Sequence, residues 1–281
     1  MRQFLLLCFI PLFCLVFSCK KDKLKSPAAS FLVVNATSVT SGTLSLAETH
    51  KITDIWLYVN DQFQGIYPIG SVMPVLSSGT ANIKMYGGIM NNGISATRLP
   101  YSFYDAYSLT GNFEAQKTYT IVPVFKYRSG ISVQSEAFNS GGSTYKSVGD
   151  SSVTTIADPS LVWGGTGYSL FMSMSDAKPT SKIVSSTTVT LPAGGKEVYL
   201  ELDYKCNQEI TVGVICGGGI EERTALTLRA TNGWNKVYIS LTSAASTQPT
   251  YNYYEIFISA VKQSDVPSPQ IYLDNIRLVR P

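Results

Sequence analysis

V-Y-L-E-L-D-Y-K-C-N-Q-E-I-T-V-G-V-I-C, residues 198–216, decides the fold class through its period. Val198, Leu200, Leu202, Tyr204 and Cys206 alternate with Tyr199, Glu201, Asp203 and Lys205, and Ile210, Val212, Val214 and Cys216 repeat the same two-residue spacing. Alternation of this kind sends successive side chains to opposite faces of a strand and matches no helix. The segment predicts a hairpin turning at Asn207–Glu209, with Cys206 opposite Ile210 and Cys216 opposite Leu200. The two thiols then lie roughly 20 Å apart, well beyond the Cα separation of about 7 Å that a disulfide tolerates. Both are expected to be buried free thiols acting as small hydrophobes. Glu201 and Asp203 share the other face, which is expected to be solvated.

The same pattern extends in both directions. Downstream, T-A-L-T-L (224–228), W-N-K-V-Y-I-S-L (234–241), Y-Y-E-I-F-I-S-A (253–260) and I-Y-L-D-N-I-R-L-V (271–279) read as strands; upstream, Y-S-L-F-M-S-M (168–174) and T-T-V-T-L (187–191) do. With residues 198–216 they make a jelly-roll β-sandwich over 150–281. Earlier strands are expected at 31–37, 43–47, 52–59, 63–67, 81–86 and 119–126, separated by turn formers such as Asn60-Asp61 and Gly87-Gly88. They predict an Ig-like β-sandwich over 31–128. Between the two, apolar density falls and Asn139-Ser-Gly-Gly-Ser143 reads as a solvated stretch, so 129–149 is expected to connect the domains. The fold class is all-β: an N-terminal Ig-like β-sandwich followed by a C-terminal jelly-roll.

Only 15% of the residues are charged and the formal net charge is +3, which is too close to neutral for a nucleic-acid or polybasic membrane surface. The N-terminus carries its own information. After Met-Arg, an apolar run from Phe4 to Phe17 falls short of the about 20 residues that a spanning helix needs. Its basic start and the small Ser18 have the layout of a signal peptide over 1–18.

V-F-S-C at 16–19 resembles the lipobox of bacterial lipoproteins, and the following Lys-Lys-Asp resembles the start of surface lipoproteins of the Bacteroidota. The resemblance implies lipidation of Cys19, a tether over 19–30, and an outer-membrane, cell-surface location held by acyl chains. The segment I-W-L-Y-V-N-D-Q-F-Q-G-I-Y-P followed by V-L-S-S-G-T-A-N-I-K-M resembles PEGA-type surface β domains. Those are spacers and adhesion modules more often than catalysts. The order G-W-N-K-V-Y-I-S-L, Y-Y-E-I-F-I-S-A and a closing I-Y-L-D-N-I-R-L is similar to carbohydrate-binding-module, galactose-binding-like jelly rolls. That likeness implies polysaccharide as the ligand class and Asp274, on the closing strand, as a ligand of a structural Ca²⁺. The alternative for Asp274 is a carboxylate that bonds nearby backbone amides.

Catalytic signals are sparse. His50 is the only histidine and lies in A-E-T-H-K, which reads as a turn between strands, so any triad or multi-His metal site would have to be built around it. No G-x-S-x-G, H-E-x-x-H or phosphate-cradling glycine motif occurs. Glu201 and Asp203 have glycosidase-like spacing, but a solvated face lacks the desolvation that would raise one pKa. Glu221-Glu222-Arg223 reads as a charged turn. Planar rings stack on the apolar faces of pyranoses, and Trp163, Tyr168, Tyr251 and Tyr253, which flank loop signals, are the ligand-binding candidates. Trp56 and Trp234 read as core or half-buried. Tyr101, Phe103, Tyr104 and Tyr107 crowd one loop, which either marks a contact surface or folds over an open end of the sandwich. The function expected is non-catalytic polysaccharide binding; the alternative is a structural or protein-docking subunit with an envelope protein partner.

Overall fold

The computed structural model describes residues 28–281 except 45, 78 and 151. The expected signal peptide over 1–18, Cys19 and most of the expected tether lie outside the described residues. Among the described residues no helix is long and apolar enough to cross a membrane.

The first half consists of β1 (Ser30–Val33), β2 (Ser38–Thr40), β3 (Asp54–Val59), β4 (Gln62–Pro68), β5 (Val72–Val75), β6 (Gly79–Met90), β7 (Arg98–Pro100), β8 (Tyr107–Phe113), β9 (Thr118–Thr120) and β10 (Val124–Lys126). One sheet runs β4-β3-β6-β7, with β8 also paired to β6; across the core lie β5-β1-β9 and β10-β2. This split is accounted for by Pro123. It has no N–H to give a ladder, and the expected single strand over 119–126 breaks there into β9, parallel to β1, and β10, parallel to β2. The strand expected at 43–47 is replaced by a 3-10 turn at Gly42–Leu44.

The second half contains β11 (Ser132–Glu136), β12 (Tyr145–Ser147), β13 (Val153–Ile156), β14 (Ser169–Ser173), β15 (Thr180–Ser185), β16 (Tyr199–Cys206), β17 (Ile210–Cys216), β18 (Glu221–Leu228), β19 (Asn235–Ser240), α1 (Thr242–Ser246), β20 (Tyr254–Val261) and β21 (Gln270–Arg280). Two antiparallel sheets, β13-β14-β21-β16-β19 with β11 on β21, and β12-β15-β20-β17-β18, enclose the core. The chain alternates between them from β14 to β17, as in a jelly roll. The connecting role expected for 129–149 is corrected: β11 pairs with β21 and β12 with β15, so this segment belongs to the C-terminal sandwich. Its short, polar strands hid it, because the half-exposed edge of a sheet needs few apolar residues.

The hairpin expected over 198–216 is also corrected. The faces are as read, since Leu200, Leu202, Tyr204, Cys206, Ile210, Val212, Val214 and Cys216 share one core. The pairing differs: β16 joins one sheet and β17 the other. A hairpin and an arch between sheets put the same residues inside, so periodicity cannot separate them. Side chains of the corner make the choice here. Asn207 donates from Nδ2 to Ser268 O at 2.9 Å and accepts from Gln270 N at 2.8 Å, while buried Gln208 accepts from Gln263 N at 3.3 Å. Cys206 and Cys216 are both buried and unbridged, and burial pushes the Cys206 thiol up to about 11.

The two sandwiches pack directly on each other. The N-terminal core continues onto Tyr199, Tyr238 and Val279 of the second sandwich. At the end of β6, Asn91 bridges to Tyr238 in parallel, Asn92 N donates to Tyr238 O at 2.9 Å, and Asn92 Oδ1 accepts from Ser240 N at 2.8 Å. The N-terminal half therefore covers the free edge of β19, which would otherwise be a template for pairing.

Candidate functional site

Strand β16 is buried on both faces. The expected solvated face of Glu201 and Asp203 is therefore corrected: it is the floor of the junction between the sandwiches. Glu201 is 0% exposed. It accepts from Tyr101 Oη at 2.8 Å and from Tyr127 Oη at 2.8 and 2.9 Å. Lys236 Nζ stands 3.2 Å and Arg277 Nη1 3.6 Å from the same carboxylate. Asp203 accepts from Thr49 Oγ1 at 3.1 Å, and Arg277 donates to the carbonyl of Ala47. Burial raises the Asp203 pKa, with Lys236 and Thr49 opposing the shift. Burial, reinforced by the Glu201 charge, holds the Tyr101 and Tyr127 phenols well above their usual range, so they stay neutral donors.

This arrangement can clamp but is poorly placed to catalyse. Both tyrosines come from the N-terminal sandwich and the carboxylates from the C-terminal one, so Glu201 gains its phenol donors only when the two are docked. The crowded loop containing Tyr101, Phe103 and Tyr104 is thus a contact surface, but for its own chain: the Tyr101 ring lies 5.3 Å from Tyr199 and 4.9 Å from Tyr238. Beside the clamp opens a cleft of about 530 Å³, lined by Lys51, Asn92, Tyr204, Arg229 and Asn235, with Lys236 at its base.

His50 is half-buried, its Nε2 3.1 Å from Thr37 O and its Nδ1 3.4 Å from Ile52 N. Burial lowers its pKa. Both ring nitrogens are occupied by backbone. Glu221-Glu222-Arg223, expected as a turn, instead opens β18. Arg223 is buried and donates to the carbonyls of Ala244, Thr247 and Pro249 at 2.8 to 2.9 Å and to Glu221 at 2.6 Å. A charged triplet in sequence shows no sign that one member is spent on closing a loop.

The four loop aromatics form two separate pairs. Trp163 sits in a 3-10 turn at Trp163–Gly165, half-buried, its backbone N donating to Ser169 Oγ at 3.0 Å. Tyr168 is 38% exposed and lies over Gly141, where a Cβ would come within 3.4 Å of its ring. The other pair precedes β20. Tyr251 packs against the core, under the Arg223 guanidinium at 5.3 Å, and its hydroxyl donates to Glu221 at 3.4 Å. Tyr253 is 45% exposed, with its ring backed by Gly218. Trp163 and Tyr168 attach to the β14 sheet, Tyr251 and Tyr253 to the β20 sheet.

Asp274 is buried within β21. Its Oδ2 accepts from Ser169 Oγ at 2.6 Å and its Oδ1 from Asn275 N at 2.7 Å. Burial raises its pKa to about 6. Among the described residues no group of three or more His, Cys, Asp or Glu side chains is gathered as a metal site.

No protein-family model matches this chain, and no curated protein matches it. Among solved structures, it is similar to a family 61 carbohydrate-binding module in complex with β-1,4-galactotriose, at 19% identity and a TM-score of 0.38, covering 52% of this chain and 94% of that one. It is also similar to family 29 carbohydrate-binding modules: one complexed with cellohexaose, at 10% identity and a TM-score of 0.36 over 54% of this chain and 92% of that one. A second, complexed with mannohexaose, is 11% identical with a TM-score of 0.36, over 53% of this chain and 91% of that one. Likeness at this level carries no argument about what this chain binds.

Proposed function

We propose that the protein is a non-catalytic carbohydrate-binding protein of the cell envelope, held on the outer membrane by lipid on Cys19 and facing outward. The observation that carries the binding reading is Tyr253, a ring 45% exposed at the mouth of the C-terminal sandwich and backed by Gly218 so that one face is held and the other is presented. Tyr168 over Gly141 repeats the arrangement. Rings supported in this way stack on pyranose faces at little entropic cost. The non-catalytic reading is supported by Glu201 and Asp203 being sealed in the junction and by the occupied ring of His50. The anchor rests on V-F-S-C and the charged residues after it.

Screening the full chain, purified in detergent, against a glycan panel tests the reading. Saturable binding weakened in Tyr253→Ala or Trp163→Ala is the expected result. Absence of binding to every glycan sinks it in favour of a structural or docking subunit. Mass spectrometry of the mature protein tests the anchor: an unmodified residue 19 would remove it.

A further inference from the structure

The segment I-W-L-Y-V-N-D-Q-F-Q-G-I-Y-P, residues 55–68, builds β3 and β4, and half of its side chains face away from any core. On the outer surface of that sheet, Trp56 lies opposite Ile66 on one side and Tyr86 on the other, and Tyr58 lies opposite Phe63. Phe63 is 50% and Ile66 43% exposed. The rings touch in sequence: Trp56 to Phe63 at 5.9 Å, Phe63 to Tyr58 at 5.2 Å and Tyr58 to Tyr86 at 5.5 Å.

The indole of Trp56 is deliberately held. Its Nε1–H donates to Asp54 Oδ1 at 3.0 Å, and Asp54, fully buried, also accepts from Thr53 Oγ1 at 2.7 Å and pairs with Arg98 at 3.3 Å. Gly88 on the neighbouring strand makes the room, since a Cβ there would lie 1.8 Å from Asp54 Oδ1 and 3.0 Å from Trp56 Nε1. Burying a carboxylate is costly, and here it orients a surface ring. Fixing a binding group before the ligand arrives lowers the entropy lost on association. Next to Tyr58 and Tyr86 the surface falls into a cleft of about 480 Å³ lined also by Ser102, Asp105 and Arg128.

The neighbouring edge argues against a protein strand as the occupant. Gln64 Nε2 donates to Gln62 O at 3.1 Å and Tyr67 Oη to Gln64 O at 3.3 Å, so side chains of β4 already use carbonyls of their own strand. The Tyr67 ring lies 3.1 Å from where a Gly65 Cβ would stand, the β3–β4 register shifts at Leu57/Tyr58, and Pro68 ends the strand. Bulges, prolines and covered carbonyls are how a sheet edge refuses another strand. The rings meet at 37°, 53° and 72°, giving a corrugated surface rather than the flat one a second sheet would need. Such a surface suits a ligand with small successive apolar faces and many hydroxyls.

We propose that this face binds a neutral polysaccharide chain, with Trp56, Tyr58 and Phe63 stacking on its sugars and Asp105 and Arg128 bonding hydroxyls in the adjoining cleft. Asp105 offsets Arg128, as Asp61 offsets Lys84 and Asp54 offsets Arg98 on the same face, so the surface has no net charge to draw an ionic polymer over a neutral one. This site is on the other sandwich from Tyr253 and stands independently of the reading above. Two sites on one anchored chain would raise retention on a long polymer through effective concentration.

Affinity electrophoresis of the full chain in detergent, through gels containing β-1,4-mannan, β-1,4-galactan, xyloglucan or polygalacturonate, tests the proposal. At least one neutral polymer retards the protein and polygalacturonate does not. Trp56→Ala/Tyr58→Ala weakens that retardation about tenfold or more, in keeping with about 1.4 kcal/mol for the lost stacking. Trp56→Phe, which keeps a ring and guards against misfolding, loses less, and Tyr253→Ala leaves binding at this face intact. A matching hexasaccharide also shifts tryptophan emission in Trp163→Phe, and that shift is absent in Trp163→Phe/Trp56→Phe. In a Tyr253→Ala background, which removes the other site, unchanged retardation in the double variant, no retardation by any neutral polymer, or a dimer in solution that the double variant abolishes would each overturn it.

Discussion

Two outward sheet faces of this protein have exchanged their usual surroundings. The face of the β16-β21-β19 sheet carries Glu201, Asp203, Lys236 and Arg277, and it is buried. The face of the β4-β3-β6 sheet carries Trp56, Tyr58, Phe63 and Tyr86, and part of it meets water, with Phe63 half exposed. Each is a polar/apolar alternation of the same period. What separates them is whether another sandwich supplies complementary groups. Tyr101, Tyr127 and Thr49 arrive to donate to the carboxylates and the Ala47 carbonyl to accept from Arg277, whereas the aromatic face has its ring orientation provided from beneath by Asp54. Burial of charge builds a joint, and exposure of rings leaves a surface with something to bind.

The sharpest way to break this contrast is Glu201→Ala. It strands Lys236 and Arg277 in the junction, and stability measured by urea unfolding is expected to fall by about 3–5 kcal/mol, the usual cost of an unpaired buried charge. The paired swap Glu201→Leu/Arg277→Met should recover only part of that loss, because Lys236 keeps Asp203 alone, at 3.9 Å; full recovery would show that Lys236 does not need Glu201. Gly88→Ala tests the other face. Its added carbon must displace Asp54, so a loss of about 1–3 kcal/mol should come with a shift in tryptophan emission that Gly141→Ala, remote from Trp56, does not cause.

Smaller effects follow from Asp274. Its folded pKa is about 6, above its ordinary value of 3.8, because burial disfavours the anion. The native state therefore holds that proton more tightly than the unfolded chain. The contribution is complete below 3.8 and is lost as pH rises through about 6. Wild type should lose about 1–2 kcal/mol relative to Asp274→Asn between pH 4 and pH 7; a difference that grows in the opposite sense would refute the assignment. Smallest of all is the effect of chelation. With both Asp274 oxygens accepting protein hydrogen bonds, EDTA should leave Tm unchanged, and a drop would restore the Ca²⁺ role that the closing strand suggested.

The strands near 52–59, 63–67, 81–86, 168–174, 198–206, 210–216, 234–241, 253–260 and 271–279 were legible because their periods are long and clean. Those at β7, β8, β11 and β12 were not, being short or polar on sheet margins, and β15, buried between β12 and β20, was not because T-S-K-I-V-S carries no clean alternation. The loop candidates split unevenly: Tyr168 and Tyr253 stand exposed, while Tyr251 is spent packing under Arg223. The aromatic face of β3 was missed as a site, since Trp56 and Tyr58 between Ile55, Leu57 and Val59 read as part of a strand filling a core. The alternation itself was the available signal: with Ile55, Leu57 and Val59 inside, Trp56 and Tyr58 had to face out.

By itself the sequence determined that the chain is all-β and which residues of 198–216 share a face, because these depend on local period; Cys206 and Cys216 are the separate thiols expected, but the hairpin from which that was argued is not there. Tertiary structure alone decided that β16 and β17 part into different sheets, that Glu201 and Asp203 are buried and that Trp56 is not. A two-residue period assigns side chains to two sides of a strand, but which side meets water is set by what packs there from elsewhere in the chain, and that contact leaves no trace in the period.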